Sequence, residues 1–83
     1  MAGQTFDFEM YPNPTNRRLT LVIHEGSEVS QVEIYTIDGK LLFSQEIEGD
    51  SKSFDLSDLE AGVYMIKVLN KSISRMKRLV KTN

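Results

Sequence analysis

The sequence predicts an all-β fold, a small antiparallel β-sandwich of about seven short strands, on three observations. Apolar residues recur at every second position in short runs, the spacing of a half-buried strand, and no stretch keeps a helical period over three turns. Turn-forming residues separate these runs at intervals of roughly ten residues, which suits strands folding back on their neighbours. The run over residues 59–69 carries the clearest signature, a strand entered through a corner between two sheets.

Along the chain, Phe6, Phe8 and Met10 alternate with Asp7 and Glu9 in the first strand. It stops at Tyr11-Pro12-Asn13-Pro14, because two prolines remove two backbone donors and fix two φ angles, with Asn13 in a turn between them. Thr15-Asn16-Arg17 completes that loop. The second strand, residues 18–23, places Leu19, Leu21 and Ile23 on one face and Thr20 and Val22 on the other. Glu25-Gly26-Ser27 turns the chain into a third strand, residues 29–35, whose inward side chains are Val32 and Ile34. Asp38-Gly39, flanked by Ile37 and Lys40, predicts a tight hairpin with both central residues at positive φ. The returning strand, residues 40–47, sets Leu41, Phe43 and Ile47 on one side, and Glu48-Gly49-Asp50 turns again. Residues 53–56 form a short strand, and residues 57–60 a helical turn at most.

From Gly62 onward, Tyr64, Ile66 and Val68 share one face and are large and apolar, so they belong to the core. Val63, Met65, Lys67 and Leu69 take the other, half-exposed face. Leu59-x-x-Gly62-x-Tyr64 predicts the corner itself. Leu59 plugs the end of the core, and Gly62 takes a backbone angle denied to other residues. The Tyr64 hydroxyl bonds back to the backbone a few residues upstream, as in the tyrosine corner of immunoglobulin-like sandwiches. Asn70-Lys71-Ser72 makes the last turn, and residues 73–81 the final strand, with Met76 and Val80 on one face and Leu79 on the other. Alternation alone leaves open which of those faces is buried.

Eighty-three residues suit one small domain, which buries roughly 60–65% of its unfolded surface and has a narrow margin of stability. There is no cysteine, hence no disulfide framework, zinc-finger spacing or thiol nucleophile. Residues 1–5 have neither a basic nor an apolar signal region, and no apolar run approaches membrane-spanning length. They read as a linker or as added residues ahead of a domain over 6–83; the chain is then either a cytosolic protein or, the reading preferred, a domain cut from a longer secreted precursor. The net charge of −2 conceals a polarity: all 12 acidic residues lie within 7–60, while six basic and no acidic residues follow from Lys67 on. That basic end reads either as a solvated edge strand kept unpaired by lysines or as a face to which a partner docks.

Residue chemistry argues against an enzyme. His24 is the only histidine, with Glu25 and Glu28 nearby, and a metal site or acid–base pair needs a second histidine or a cysteine that the chain lacks. A strand-end surface residue is the simpler reading of it. Asp38 and Asp58 sit where turns and caps favour aspartate. No glycine-rich phosphate loop or Ser/His/Asp constellation occurs, and no cofactor is expected. Tyr35, Phe43, Phe54 and Tyr64 fall at core or near-core strand positions, and the net charge is negative, which argues against nucleic acid as a partner.

Four motifs in order carry a family resemblance: Tyr11-Pro12-Asn13-Pro14, Val32-Glu33-Ile34-Tyr35 leading into Asp38-Gly39-Lys40-Leu41, Leu59-x-x-Gly62-Val63-Tyr64, and a Lys/Arg-rich last strand. In this order the chain, from Phe6 to Lys81, resembles the type A C-terminal sorting domain carried by cargo of the type IX (Por) secretion system of Bacteroidetes. The resemblance implies a small immunoglobulin-like sandwich at the C-terminus of a larger secreted protein, without catalytic activity. It implies as partners the outer-membrane translocon, its shuttle protein and a sortase-like cysteine peptidase that removes the domain at the cell surface. The cargo passes through the periplasm and ends at the surface or in the medium.

Residue by residue, Pro12, Asn13 and Pro14 match the opening motif, Asp38, Gly39 and Lys40 the hairpin, and Gly62 and Tyr64 the corner. Lys77, Arg78, Leu79, Val80 and Lys81 match the terminal basic-apolar motif. Two turn-level departures stand out: Thr36 follows the tyrosine where the family often has aspartate, and Asn16 and Arg17 stand where it often has glycine. The proline, glycine and tyrosine positions each have a backbone or packing reason. Lys77, Arg78 and Lys81 have none on the sequence alone, so docking is assigned to them, with the last strand recruiting a receptor strand by edge pairing or pairing with itself. The alternative function is an adhesive or carbohydrate-binding sandwich of a surface protein, against which no strand shows a row of exposed aromatics.

Overall fold

The computed structural model describes residues 7–24, 30–70 and 73–83. Its elements are β1 (Asp7–Tyr11), β2 (Arg18–His24), β3 (Ser30–Thr36), β4 (Leu41–Ile47), β5 (Ser51–Asp55), β6 (Gly62–Asn70) and β7 (Ile73–Lys81). They form two antiparallel sheets, β1-β2-β5 and β4-β3-β6-β7, packed as the predicted sandwich. Phe6, the turn at Glu25-Gly26-Ser27 and the turn residues Lys71 and Ser72 lie outside the described residues.

Strand alternation sorts the side chains as a half-buried sheet requires. Phe8, Leu19, Leu21, Ile23 and Phe54 face inward from the three-stranded sheet, joined by Leu56 just beyond β5. Val32, Ile34, Ile47, Ile66, Val68 and Leu79 face them from the other. Because Leu79 pairs with Tyr64 and Lys77 with Ile66, the odd-numbered residues of β7 share the inward face of β6. The face that the sequence left open is therefore the one carrying Leu79.

Two expectations about the β3–β4 hairpin are corrected. The Gly39 amide donates to the Thr36 carbonyl at 2.9 Å and the Thr36 amide to the Lys40 carbonyl at 2.8 Å. Ile37 and Asp38 are thus the central turn residues, and Gly39, at φ 100°, closes a three-residue loop. The Asp-Gly pair is not a two-residue turn. Leu41 was expected on the same side as Phe43, but Ile34 pairs with Phe43 while Tyr35 pairs with Leu41, which leaves Leu42 as an extra residue. This bulge turns Leu41 outward beside Tyr35, 49% exposed, and leaves Phe43 and Ile47 inside.

The two open sides of the sandwich differ. Along β4 and β5 runs a groove of about 460 Å³ lined by Leu42, Phe43, Phe54, Leu56 and Leu59 among others. Phe43 and Phe54 meet edge to face at its floor, ring centroids 5.6 Å apart. Along β1 and β7 the side is closed by the loop after β1 and by Lys77.

Candidate recognition surface

The loop after β1 substitutes for a strand at the edge of β7. Both of its X–Pro bonds, Tyr11–Pro12 and Asn13–Pro14, are cis. Asn13 Nδ2 donates to the Arg78 carbonyl and its Oδ1 accepts from the Val80 amide, each at 3.0 Å. The Thr15 amide donates to the Val80 carbonyl at 3.0 Å, and the Thr82 amide donates to the Thr15 carbonyl at 2.7 Å. Thr15 also makes a parallel bridge to Lys81 and is buried, its hydroxyl donating to the Arg18 carbonyl at 2.7 Å. Backbone groups of β7 at positions 78 and 80 are consequently paired, so this half of the edge is closed to strand addition.

Both lysines of β7 are engaged with backbone oxygens. Lys81 is 5% exposed, and its Nζ donates to the carbonyls of Leu59 and Thr82 at 3.0 and 3.2 Å. Lys77 reaches β1: its Nζ donates to the Phe8 carbonyl, lies 3.4 Å from an Asp7 carboxylate oxygen and sits 5.0 Å from the Phe8 ring centroid. The Phe8 amide, and after it Lys77, hold the Asp7 carboxyl below the usual aspartate range. Lys77 and Lys81 therefore have structural reasons to be basic that alternation alone did not reveal, since their stems pack inward while their ammonium groups find backbone oxygens.

The corner has the predicted closure. The Tyr64 hydroxyl donates to the Glu60 carbonyl at 2.6 Å, and Leu59 packs against the core with its amide bonded to the Leu56 carbonyl at 3.0 Å. Gly62, at φ 159°, takes a positive backbone angle that L side chains rarely adopt, as expected at this corner, and the Tyr64 hydroxyl bond closes it. At the hairpin, Thr36 supplies the turn chemistry: its hydroxyl donates to the Asp38 carboxylate and accepts from the Lys40 amide. That contact, ahead of the backbone, pulls the Asp38 carboxyl down. His24 pairs with Glu9 at 3.1 Å on the surface, and no group of three metal-ligating side chains occurs among the described residues.

What remains outward on β6 and β7 is one sheet face. Cross-strand pairs Val63–Val80, Met65–Arg78 and Lys67–Met76 lie on it, with Tyr35 and Leu41 continuing the Met65 row across β3 and β4. Met76 is 49% and Val63 39% exposed.

A family model described as the secretion system C-terminal sorting domain matches residues 9–82. The chain belongs to that family. No curated protein matches the chain. The match identifies a type IX secretion sorting signal, which interacts with that secretion machinery and directs export across the envelope to the cell surface or the medium.

In this sorting domain the resemblance motifs separate by geometry. Asn13, between Pro12 and Pro14, pairs with the β7 edge, Asp38, Gly39 and Lys40 lie at the hairpin tip, and Gly62 and Tyr64 form the corner. Of the terminal motif, Leu79 is fully buried, Lys77 reaches β1, and Lys81 is buried against the β5–β6 connection at the Leu59 carbonyl. Arg78 and Val80 alone in that motif share the outward face with Met76. Thr15, which the sequence placed in a plain loop, is the sealing residue that sequence reasoning missed. The signal for it was weak: a β-branched polar residue following a proline, with no periodicity around it.

Proposed function

We propose that this domain is a non-catalytic address for the outer-membrane translocon and shuttle protein of the type IX system. A larger cargo domain precedes it in the same precursor, and a sortase-like peptidase removes the sorting domain once the cargo has crossed. The cargo traverses the periplasm and finishes at the cell surface or in the medium. Residues 6–83 form the recognised unit, with residues 1–5 belonging to the linker or to added sequence. The observation that carries this reading is the family match across residues 9–82, which spans parts of all seven strands. It is supported by the way the motifs cooperate: three of them build a rigid sandwich, and the fourth contributes outward side chains at its last strand. A folded surface then supplies the binding energy, as expected of a preorganised signal.

The test is a fusion of this chain to the C-terminus of a signal-peptide-bearing fluorescent protein, expressed in a Bacteroidetes host with and without a working type IX system. Export with loss of the domain, dependent on the system, is the expected result. Retention in the periplasm of a host that exports its own cargo would overturn the reading.

A further inference from the structure

We infer that the outer face of β6 and β7 is the surface by which the domain docks, and that its partner is a protein surface that is apolar and lined by carboxylates. This rests on the sorting reading above and narrows it to one face. The fold removes the other residues of the terminal motif over 77–81: Lys77 and Lys81 are engaged with backbone oxygens, Leu79 lies in the core, and the β7 edge at positions 78 and 80 is paired with Asn13 and Thr15. Left facing solvent are Val63, Met65, Lys67, Met76, Arg78 and Val80, adjacent to one another by register. Contiguous apolar surface of this kind on a small soluble domain marks an interaction site.

Charge selects the occupant. The two charged side chains among those six are both cationic, and no acidic residue occurs anywhere after Glu60. Glu33, the acid nearest in the same face, stands across from Lys67 and accepts the Tyr35 hydroxyl at 2.6 Å, so it is already engaged. Arg78 stands across from Met65 in the register and is exposed. Carboxylates on the partner meet Arg78 and Lys67 while apolar groups cover Met76, Val63 and Val80. A second copy of this chain fits poorly, because the same face would bring cations against cations. An anionic membrane fits poorly too, because lipid-binding patches cluster about 4–8 basic residues.

The experiment uses the fluorescent fusion in the type IX host. Arg78→Glu and Met76→Asp are each expected to lower the exported fraction about tenfold, the scale of a single interface anchor. Arg78→Lys retains most export, and Thr20→Asp on the outer face of the three-stranded sheet leaves it unchanged. Thermal unfolding of each variant separates lost docking from lost folding. In the otherwise unaltered fusion, a photo-crosslinking residue at position 76 is expected to capture a protein of the secretion machinery. Capture of lipid, of a second copy or of nothing overturns the inference, as does undiminished export of both Arg78→Glu and Met76→Asp. In each of those cases export of the parent fusion leaves the sorting reading standing; failure of the parent fusion to leave the cell defeats that reading first.

Discussion

Asn13 holds Val80 as a neighbouring strand would: its side-chain oxygen takes the Val80 amide hydrogen at 3.0 Å while its amino group donates to the Arg78 carbonyl two residues earlier in the strand. The arrangement needs an acceptor and a donor on one short side chain, which asparagine has and aspartate lacks. Asn13→Asp sets a carboxylate oxygen against the Arg78 carbonyl and is expected to cost about 1–2 kcal/mol, more than Asn13→Ala, which lets water pair both groups. Urea unfolding of the two variants at neutral pH checks the order. Asn13→Ala is also expected to self-associate with rising concentration, visible in sedimentation, because it reopens a strand edge.

Lys81 tests the division between fold and docking. Lys81→Met keeps the buried stem but leaves the Leu59 carbonyl without its donor, an expected loss of about 1–3 kcal/mol. For a domain this small that lowers the thermal midpoint by roughly 4–8 °C per kcal/mol. An unchanged midpoint in calorimetry would return Lys81 to the surface.

Tyr64→Phe removes one hydroxyl and nothing else from the corner. Loss of its bond to the Glu60 carbonyl is expected to cost about 0.5–1.5 kcal/mol, read from the denaturation midpoint at unchanged slope. Removing the inward ring as well, by Tyr64→Ala, is expected to cost more, since the ring packs against the core.

Acid is expected to weaken the fold through three aspartates. The Phe8 amide lowers the Asp7 carboxyl, the Thr36 hydroxyl lowers that of Asp38, and the hydroxyl and amide of Ser57 lower that of Asp55. A carboxyl whose folded pKa is depressed binds fewer protons folded than unfolded. Its stabilisation is therefore present above the unfolded value of about 3.9 and is lost as pH falls through the folded one. Urea unfolding between neutral pH and pH 3 is expected to show a plateau and then a decline beginning near pH 4–5. Asp55→Asn keeps an acceptor for the Ser57 amide and is expected to flatten part of that decline.

Much of the sandwich was legible because alternation and partner agree: Leu19, Leu21 and Ile23 are inward by period and by position, as are Ile66 and Val68. Leu41 was not, since one extra residue at Leu42 reverses the faces and nothing in the local sequence marks it. The last strand stayed open for another reason. Its inward positions include lysines, and its outward positions include Met76 and Val80, so hydrophobicity alone cannot orient it. Parity could have: pairing Asn70 with Ile73 puts the odd-numbered residues of β7 opposite Tyr64, Ile66 and Val68. The candidate surface was legible as a basic segment but not as a face, because that needs the register and the loop that occupies the β7 edge.

The seal between the first loop and the last strand also sets a clock. Asn13 and Val80 stand 67 positions apart, and neither the Arg78 carbonyl nor the Thr15 amide has its partner until both segments exist and meet. Contacts so distant along the chain form late and slowly, on the scale of milliseconds to seconds for sheet folds. During synthesis the β1/β7 side therefore stays open until the chain has been made through Val80. A finished fold certifies that translation reached it, and a chain truncated before that point lacks the seal between Asn13 and β7.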